Sequence, residues 1–115
     1  MPLDLKTRQS GPAMVVACNG VIVFGPESLA LREEVKRALE RSKHIVLDLS
    51  NVHYVDSGGL GAIIGVFTSA RAAGGDLKIA GLNERVRHVF HITKLLNILE
   101  VHETVEQAVK AAAAA

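Results

Sequence analysis

Short apolar runs and longer amphipathic segments alternate along the chain, and the first two runs predict a hairpin. Residues 3–9 and 13–18 have the composition of strands, and residues 10–12 (SGP) between them are typical of a turn. Residues 19–20 (NG) form a dipeptide favoured in two-residue hairpin turns. The local pattern therefore predicts a second turn there, before the apolar stretch 21–24.

The pattern then changes to a helix followed by a buried strand. Pro26 follows Gly25 and suits the first helical position, where its missing N–H needs no partner. The apolar positions that follow recur on one face of that helix, at Leu31, Val35, Ala38 and Leu39. Residues 44–49 (HIVLDL) are short, apolar and rich in strand formers, which is typical of a strand in a parallel sheet.

A second helix is predicted directly after residues 54–57 (YVDS), and residues 74–75 (GG) are expected to end it. Its predicted buried stripe consists of Leu60, Ile63, Ile64 and Phe67. Residues 77–80 then predict another strand.

The last third of the chain predicts two more helices and one more strand. Asn83 is a suitable N-cap for the third helix, whose inward-facing residues are expected to be Val86, Val89 and Phe90. Residues 98–101 predict a last short strand, and Thr104 with Gln107 predicts a capping box that opens a C-terminal helix.

Strands and helices therefore alternate after an initial hairpin, an order that predicts an α/β fold. We expect one domain over residues 1–115, with a mixed, mostly parallel sheet of four to five strands and about four helices. The 115 residues suit one compact domain. Apolar residues make up 49% of the chain and aromatic residues only 3%, so the core is predicted to be aliphatic.

The charge balance and the single cysteine narrow the functional classes. A net charge of +1 gives no electrostatic footprint for nucleic acid and no polybasic patch for a membrane. Cys18 has no partner for an internal disulfide and is expected to be a buried core residue. The sequence predicts neither a signal peptide nor a segment long and apolar enough to span a bilayer, so the cytoplasm is the expected location.

Residues 55–61 (VDSGGLG) form the segment that carries candidate chemistry. They lie where a predicted strand ends and a helix starts, and sites in open α/β sheets gather at the carboxyl ends of strands. Ser57 is predicted to be the N-cap of that helix, with its hydroxyl exposed. A helix cap alone explains the segment, because serine is favoured there whether or not it has another role.

Ser57 is also a suitable phosphate acceptor. A phosphate at this position would meet free backbone N–H groups and the positive end of the helix dipole. It would add about −1.5 to −2 charges at pH 7, beside the existing charge of Asp56. Like charges that face each other across an interface cost several kcal/mol, which is enough to prevent a partner from binding.

A serine hydrolase is a remote alternative, because the letters DSGG also surround the nucleophile of trypsin-like proteases. Those enzymes are all-β proteins with much longer chains and a His–Asp pair. The glycine of a G-x-S-x-G elbow is also absent, since Val55 occupies its position. A serine hydrolase is therefore not expected.

Residues 56–61 resemble the motif D-S-[STG]-G-L-G of STAS domains, specifically the anti-sigma-factor antagonists of bacterial sporulation and general-stress pathways. The resemblance extends over essentially the whole chain. It includes the preceding strand 45–49, the helix that ends at residues 74–75, and the C-terminal segment 98–108.

The resemblance implies a switch in which a partner anti-sigma factor, itself a serine kinase, phosphorylates Ser57. The unphosphorylated antagonist binds the kinase and makes it release its sigma factor. The phosphorylated antagonist cannot bind, and a phosphatase later converts it back to the unphosphorylated form. The resemblance also implies that the antagonist is not an enzyme and needs no cofactor, since ATP and Mg²⁺ belong to the kinase. It is expected to be a monomer or weak dimer. The residues expected to contact the partner are Asp56, Ser57, Gly58, Gly59, Leu60 and Gly61.

Two departures from the family pattern affect these expectations. Family members often have the acidic sequence GELD at the end of the second strand, whereas Val21 and Val23 replace both acids here. Gly58 stands where Ser or Thr is common, so Ser57 is the only hydroxyl in the motif. Because these acids are replaced, a second function stays an alternative: the protein could be a STAS scaffold subunit of a sensory complex or of a lipid ABC transporter.

His88 and His91 lie one helical turn apart and are the chain's remaining candidate for a metal site. No third ligand is obviously placed to complete it, so both are expected to be solvated and no metal is predicted.

Overall fold

Five strands and four helices make up most of residues 3–114, which are the residues that the computed structural model describes. The strands are β1 (Leu3–Ser10), β2 (Ala13–Ile22), β3 (His44–Val55), β4 (Asp76–Ala80) and β5 (Glu100–His102). The helices are α1 (Pro26–Leu39), α2 (Ser57–Ala72), α3 (Glu84–Ile92) and α4 (Val105–Ala114), with a 3₁₀ turn at Leu95–Asn97.

The strands form one mixed sheet in the order β1-β2-β3-β4-β5. β1 is antiparallel to β2, and each later neighbour pairs in parallel. This confirms the predicted α/β fold with its N-terminal hairpin, its four to five strands and its four helices. Because β2 and β3 run in parallel, both end at the same edge of the sheet, and α1 and α2 both start there.

The turn predicted at Asn19 and Gly20 is wrong, because β2 continues through both residues. Gly20 is paired on one side with Leu3 of β1 and on the other side with Val52 of β3. Irregularities in the β2–β3 register flank this point, and Gly20 has a φ of 125°, which glycine adopts without strain. Asn19 and Gly20 therefore lie in an irregular part of a strand and not in a turn.

Helices cover both faces of the sheet. The larger core lies beneath α1, α2 and α3 and is almost entirely aliphatic, with Phe90 as its large aromatic residue. The smaller core lies beneath α4, where Ala108 and Ala112 pack on β2, β3 and β4. Cys18 is 2% exposed in the larger core, which confirms that it is buried.

The buried face of α2 differs from the predicted stripe. Ile63 is buried as expected, but Leu60, Ile64 and Phe67 are only partly buried. The fully buried positions are mostly small: Gly59, Ala62, Ile63, Val66 and Ala70. The helix packs against both the sheet and α1, and small residues permit that close approach.

The predicted helix ends are largely confirmed. Gly74 adopts a φ of 83° and the N–H of Gly75 donates to the carbonyl of Ala70, which ends α2. Asn83 caps α3 by accepting the N–H of Val86 at 2.9 Å. Thr104 accepts the N–H of Gln107 at 3.1 Å at the start of α4.

Two expectations for the last third of the chain need correction. Val89 is only partly buried on α3, whereas Val86 and Phe90 are buried. β5 begins at Glu100 rather than at residue 98, because the 3₁₀ turn precedes it.

Candidate functional site

The candidate site lies at the carboxyl edge of the sheet, where β2 and β3 end side by side. Ile22 and Val55, the last residues of these strands, are register partners. After β3 the chain turns within one residue, Asp56, into α2, and after β2 it passes through Phe24 into α1. The starts of two helices therefore meet at Ser57.

Asp56 is the N-cap of α2, so the prediction that Ser57 caps the helix is wrong. Asp56 has an extended backbone and its Oδ1 accepts the N–H of Gly59 at 2.8 Å. The same carboxylate also accepts the N–H of Phe24, at 3.1 Å to Oδ1 and 3.3 Å to Oδ2. Aspartate and serine are both favoured N-cap residues. Asp56 differs in that its carboxylate also accepts a hydrogen bond from the loop that contains Phe24.

Ser57 is the first residue of α2 and is exposed to solvent. Its hydroxyl has no hydrogen-bond partner among residues 3–114, and the N–H groups of Ser57 and Gly58 have no acceptor there either. Free N–H groups at the start of a helix favour an anion bound beside them. The helix-cap explanation of Ser57 is therefore removed.

The first two glycines of the motif make room for the chain itself. A Cβ atom at Gly58 would lie 2.5 Å from the Cβ of Phe24, and one at Gly59 would overlap the carbonyl oxygen of Ile22. A Cβ at Gly61 would meet nothing within 4 Å. Leu60 is partly buried against the larger core. Gly58 and Gly59 thus permit the two loops to pack, whereas Gly61 faces open space.

Exposed apolar side chains lie on the three segments that lead to this edge of the sheet. Phe24 is 81% exposed, and Leu29 of α1 and Tyr54 of β3 are 56% and 47% exposed. Val21, which pairs with Tyr54, and Val23 are partly buried. The replacement of the family's acids by Val21 and Val23 indicated an apolar surface here, but it did not point to Phe24, Leu29 or Tyr54.

In the described part of the chain, Ser57 is not accompanied by a catalytic or metal-binding group of residues. Within residues 3–114, no histidine or carboxylate is hydrogen-bonded to its hydroxyl, and no group of three potential ligands could hold a metal ion. His88 and His91 are exposed on α3. None of the described helices is both long and apolar enough to cross a membrane.

The main ionic cluster is structural. Lys78 of β4, whose side chain is 7% exposed, donates to Asp76 at 3.2 Å and to Glu100 at 3.0 Å. Burial opposes its charge, but these two bonds raise the pKa of Lys78 above its usual value. Hydrogen bonds from His102 and Lys78 lower the pKa of Glu100.

Comparison with known proteins adds to this geometry. A family model described as STAS domain matches residues 4–108. This chain belongs to the STAS domain family. It is 35% identical over 108 residues to an anti-sigma-B factor antagonist of Bacillus subtilis, covering 94% of this chain and 96% of that protein.

Solved structures show the same STAS fold. A crystal structure of an anti-sigma factor antagonist from Mycobacterium paratuberculosis aligns with a TM-score of 0.82 at 20% identity, over 96% of this chain and 93% of that one. The structure of the phosphorylated form of the Bacillus cell fate determinant SpoIIAA aligns with a TM-score of 0.71 at 17% identity, over 94% of this chain and 98% of that one.

Proposed function

We propose that this STAS-domain protein is an anti-sigma-factor antagonist that is switched by phosphorylation of Ser57. The observation that carries the proposal is the exposed, unbonded hydroxyl of Ser57 at the start of α2, with Asp56 as the cap beside it. The likeness to an antagonist at 35% identity over nearly the full length of both chains supports the same role.

The unphosphorylated protein binds an anti-sigma factor that is a serine kinase and so causes it to release its sigma factor. The kinase then transfers the γ-phosphoryl group of ATP to the oxygen of Ser57; the hydroxyl loses its proton and ADP leaves. ATP and Mg²⁺ belong to the kinase, and the antagonist needs no cofactor and catalyses no reaction. We place this exchange in the cytoplasm, with the antagonist as a monomer or weak dimer.

Phosphorylation prevents binding through charge rather than through refolding. The phosphate adds about −1.5 to −2 charges next to the Asp56 carboxylate. The free N–H groups of Ser57 and Gly58 and the helix dipole stabilise that charge within the fold. A partner surface matched to the neutral serine meets a repulsion of several kcal/mol, and it dissociates. A phosphatase acting on phospho-Ser57 restores the binding form.

Extracts of the native host, fractionated with radiolabelled ATP and Mg²⁺, test this proposal. We expect one fraction to label the wild-type protein and to leave Ser57→Ala unlabelled, and the purified kinase to bind the unphosphorylated protein but not the phosphorylated one. If no fraction labels Ser57, the switch is refuted. A large stable assembly with other subunits in size-exclusion chromatography would then favour a scaffold or transporter subunit.

A fluorophosphonate probe tests the remaining enzymatic alternative. We expect no labelling of Ser57, since no described base activates its hydroxyl. Labelling that is lost in Ser57→Ala would instead indicate a serine hydrolase.

A further inference from the structure

The exposed hydrophobic residues are not spread evenly over the molecule. Among the described residues, the large hydrophobic side chains that are exposed are Phe24, Leu29, Tyr54, Ile92 and Ile98. The first three lie on the segments at the edge of the sheet where α2 begins: Phe24 between β2 and α1, Leu29 near the start of α1 and Tyr54 near the end of β3. We define Phe24, Leu29 and Tyr54 as the apolar rim of the site.

Phe24 is the most exposed of these residues, and its backbone is held on both sides. Its N–H donates to the carboxylate of Asp56, and its Cβ lies 2.5 Å from where a Cβ of residue 58 would be. A side chain at position 58 would displace Phe24, so Gly58 and Phe24 form a matched pair. The loop therefore presents an aromatic ring from a fixed position next to the acceptor hydroxyl.

We infer that Phe24 is the anchor by which this protein docks on the kinase that phosphorylates Ser57. This inference rests on the function proposed above and adds the chemistry of the partner, whose surface has an apolar pocket beside its serine-accepting cleft. Fixed aromatic side chains contribute a large share of binding energy at interfaces and lose little entropy there. Val21 and Val23 extend the same apolar character, so docking at this rim depends little on charge.

Kinetics with the purified Ser57 kinase and ATP test the inference. We expect Phe24→Ala to raise the KM for the antagonist by about 10- to 100-fold with little change in kcat, because docking is weakened and not phosphoryl transfer. Phe24→Leu keeps apolar bulk and should lose less. Gly58→Ser should also raise KM, since its side chain displaces Phe24. Binding of the wild-type protein should weaken little between low and high salt.

Control variants and a stability measurement distinguish a loss of docking from unfolding and from a general loss of surface hydrophobicity. Ile92→Ala and Ile98→Ala delete residues that are 61% and 55% exposed but lie outside the rim, and their KM should be unchanged. Thermal unfolding of Phe24→Ala should match that of the wild type. Unchanged KM and affinity in a folded Phe24→Ala protein would overturn the inference while leaving Ser57 phosphorylation, and so the proposed function, intact.

Two further outcomes would also overturn the inference. If analytical ultracentrifugation shows a wild-type dimer that Phe24→Ala converts to monomers, the rim binds a second copy of the chain. If no kinase phosphorylates Ser57 in the wild-type protein, the proposed function itself fails, and the anchor fails with it.

Discussion

The carboxylate of Asp56 holds the backbone N–H of Phe24, with 3.1 Å between Oδ1 and the nitrogen, although 32 residues separate them along the chain. The same Oδ1 caps α2 through Gly59. One side chain therefore fixes the start of the helix that bears Ser57 and the loop that bears Phe24. The geometry of the site depends on this carboxylate more than on the serine.

Asp56→Ala should destabilise the protein by about 1–2 kcal/mol, because it removes a helix cap and a second hydrogen bond to the backbone. Asp56→Asn retains an acceptor oxygen and should cost less. Urea unfolding followed by circular dichroism measures both effects. Equal stability of Asp56→Ala and the wild type would show that the carboxylate does not hold the two segments together.

Gly59→Ala and Gly61→Ala should change stability in opposite directions, though both lie near the start of α2. A Cβ at position 59 overlaps the carbonyl of Ile22, so we expect a loss of about 1–3 kcal/mol from overpacking. Position 61 is open, and alanine there should stabilise the helix by about 0.5–1 kcal/mol. Chemical denaturation of the pair decides this point. A neutral Gly59→Ala would mean that α2 is not seated as closely on β2 as described.

Lys78→Met should lower the free energy of unfolding at neutral pH by about 1–2 kcal/mol, discounted because both carboxylate partners remain partly exposed. Hydrogen bonds from His102 and Lys78 lower the pKa of Glu100, and despite opposing burial the bonds from Lys78 and from the Leu77 N–H lower the pKa of Asp76. The stability that the Asp76 and Glu100 carboxylates contribute is therefore fully present above their usual pKa values. It is lost as the pH falls through their lowered pKa values in the folded protein.

The difference between wild type and Lys78→Met should therefore disappear in acid. Because the pKa of Lys78 is raised, the contribution persists at high pH until its ammonium group deprotonates. Urea midpoints between about pH 3 and pH 8 measure the effect. Lys36→Met, on the exposed side of α1, is the control and should show no such dependence. A difference that stays constant into acid would contradict the assigned ion pairs.

Cys18 should be unreactive in the native protein. Burial, reinforced by the nearby charges of Asp48 and Glu34, raises the pKa of its thiol far above the usual value, so little thiolate forms at neutral pH. Ellman's reagent should modify it slowly in buffer and completely in guanidinium chloride. Rapid modification of the folded protein would show that this part of the core opens.

Periodicity predicted the elements of this fold well because each buries one regular face. It failed where contacts between distant residues decided the outcome. Asn19 and Gly20 have the local preference of a turn, but pairing with β1 and β3 on both sides holds them in a strand. The predicted buried face of α2 was wrong because the helix packs closely against the sheet and α1, which favours small residues. Hydrophobic periodicity gives such residues little weight.

The candidate site was located from its motif, but the division of roles within it was not. Asp56 and Ser57 are equally plausible caps in sequence, and the bond from Phe24 selects the aspartate. No local pattern links Phe24 to Gly58, because the contact joins the ends of two different strands. Because Asp56 caps the helix, the hydroxyl of Ser57 has no capping role, and the proposed switch depends on that.

Mass spectrometry of the protein purified from its native host shows whether Ser57 is phosphorylated in the cell. We expect one phosphoryl group per chain in a fraction of the molecules, localised to Ser57 in the peptide spectra and absent from Ser57→Ala. Chains that carry no phosphate under any growth condition, or that carry it elsewhere, would contradict the switch.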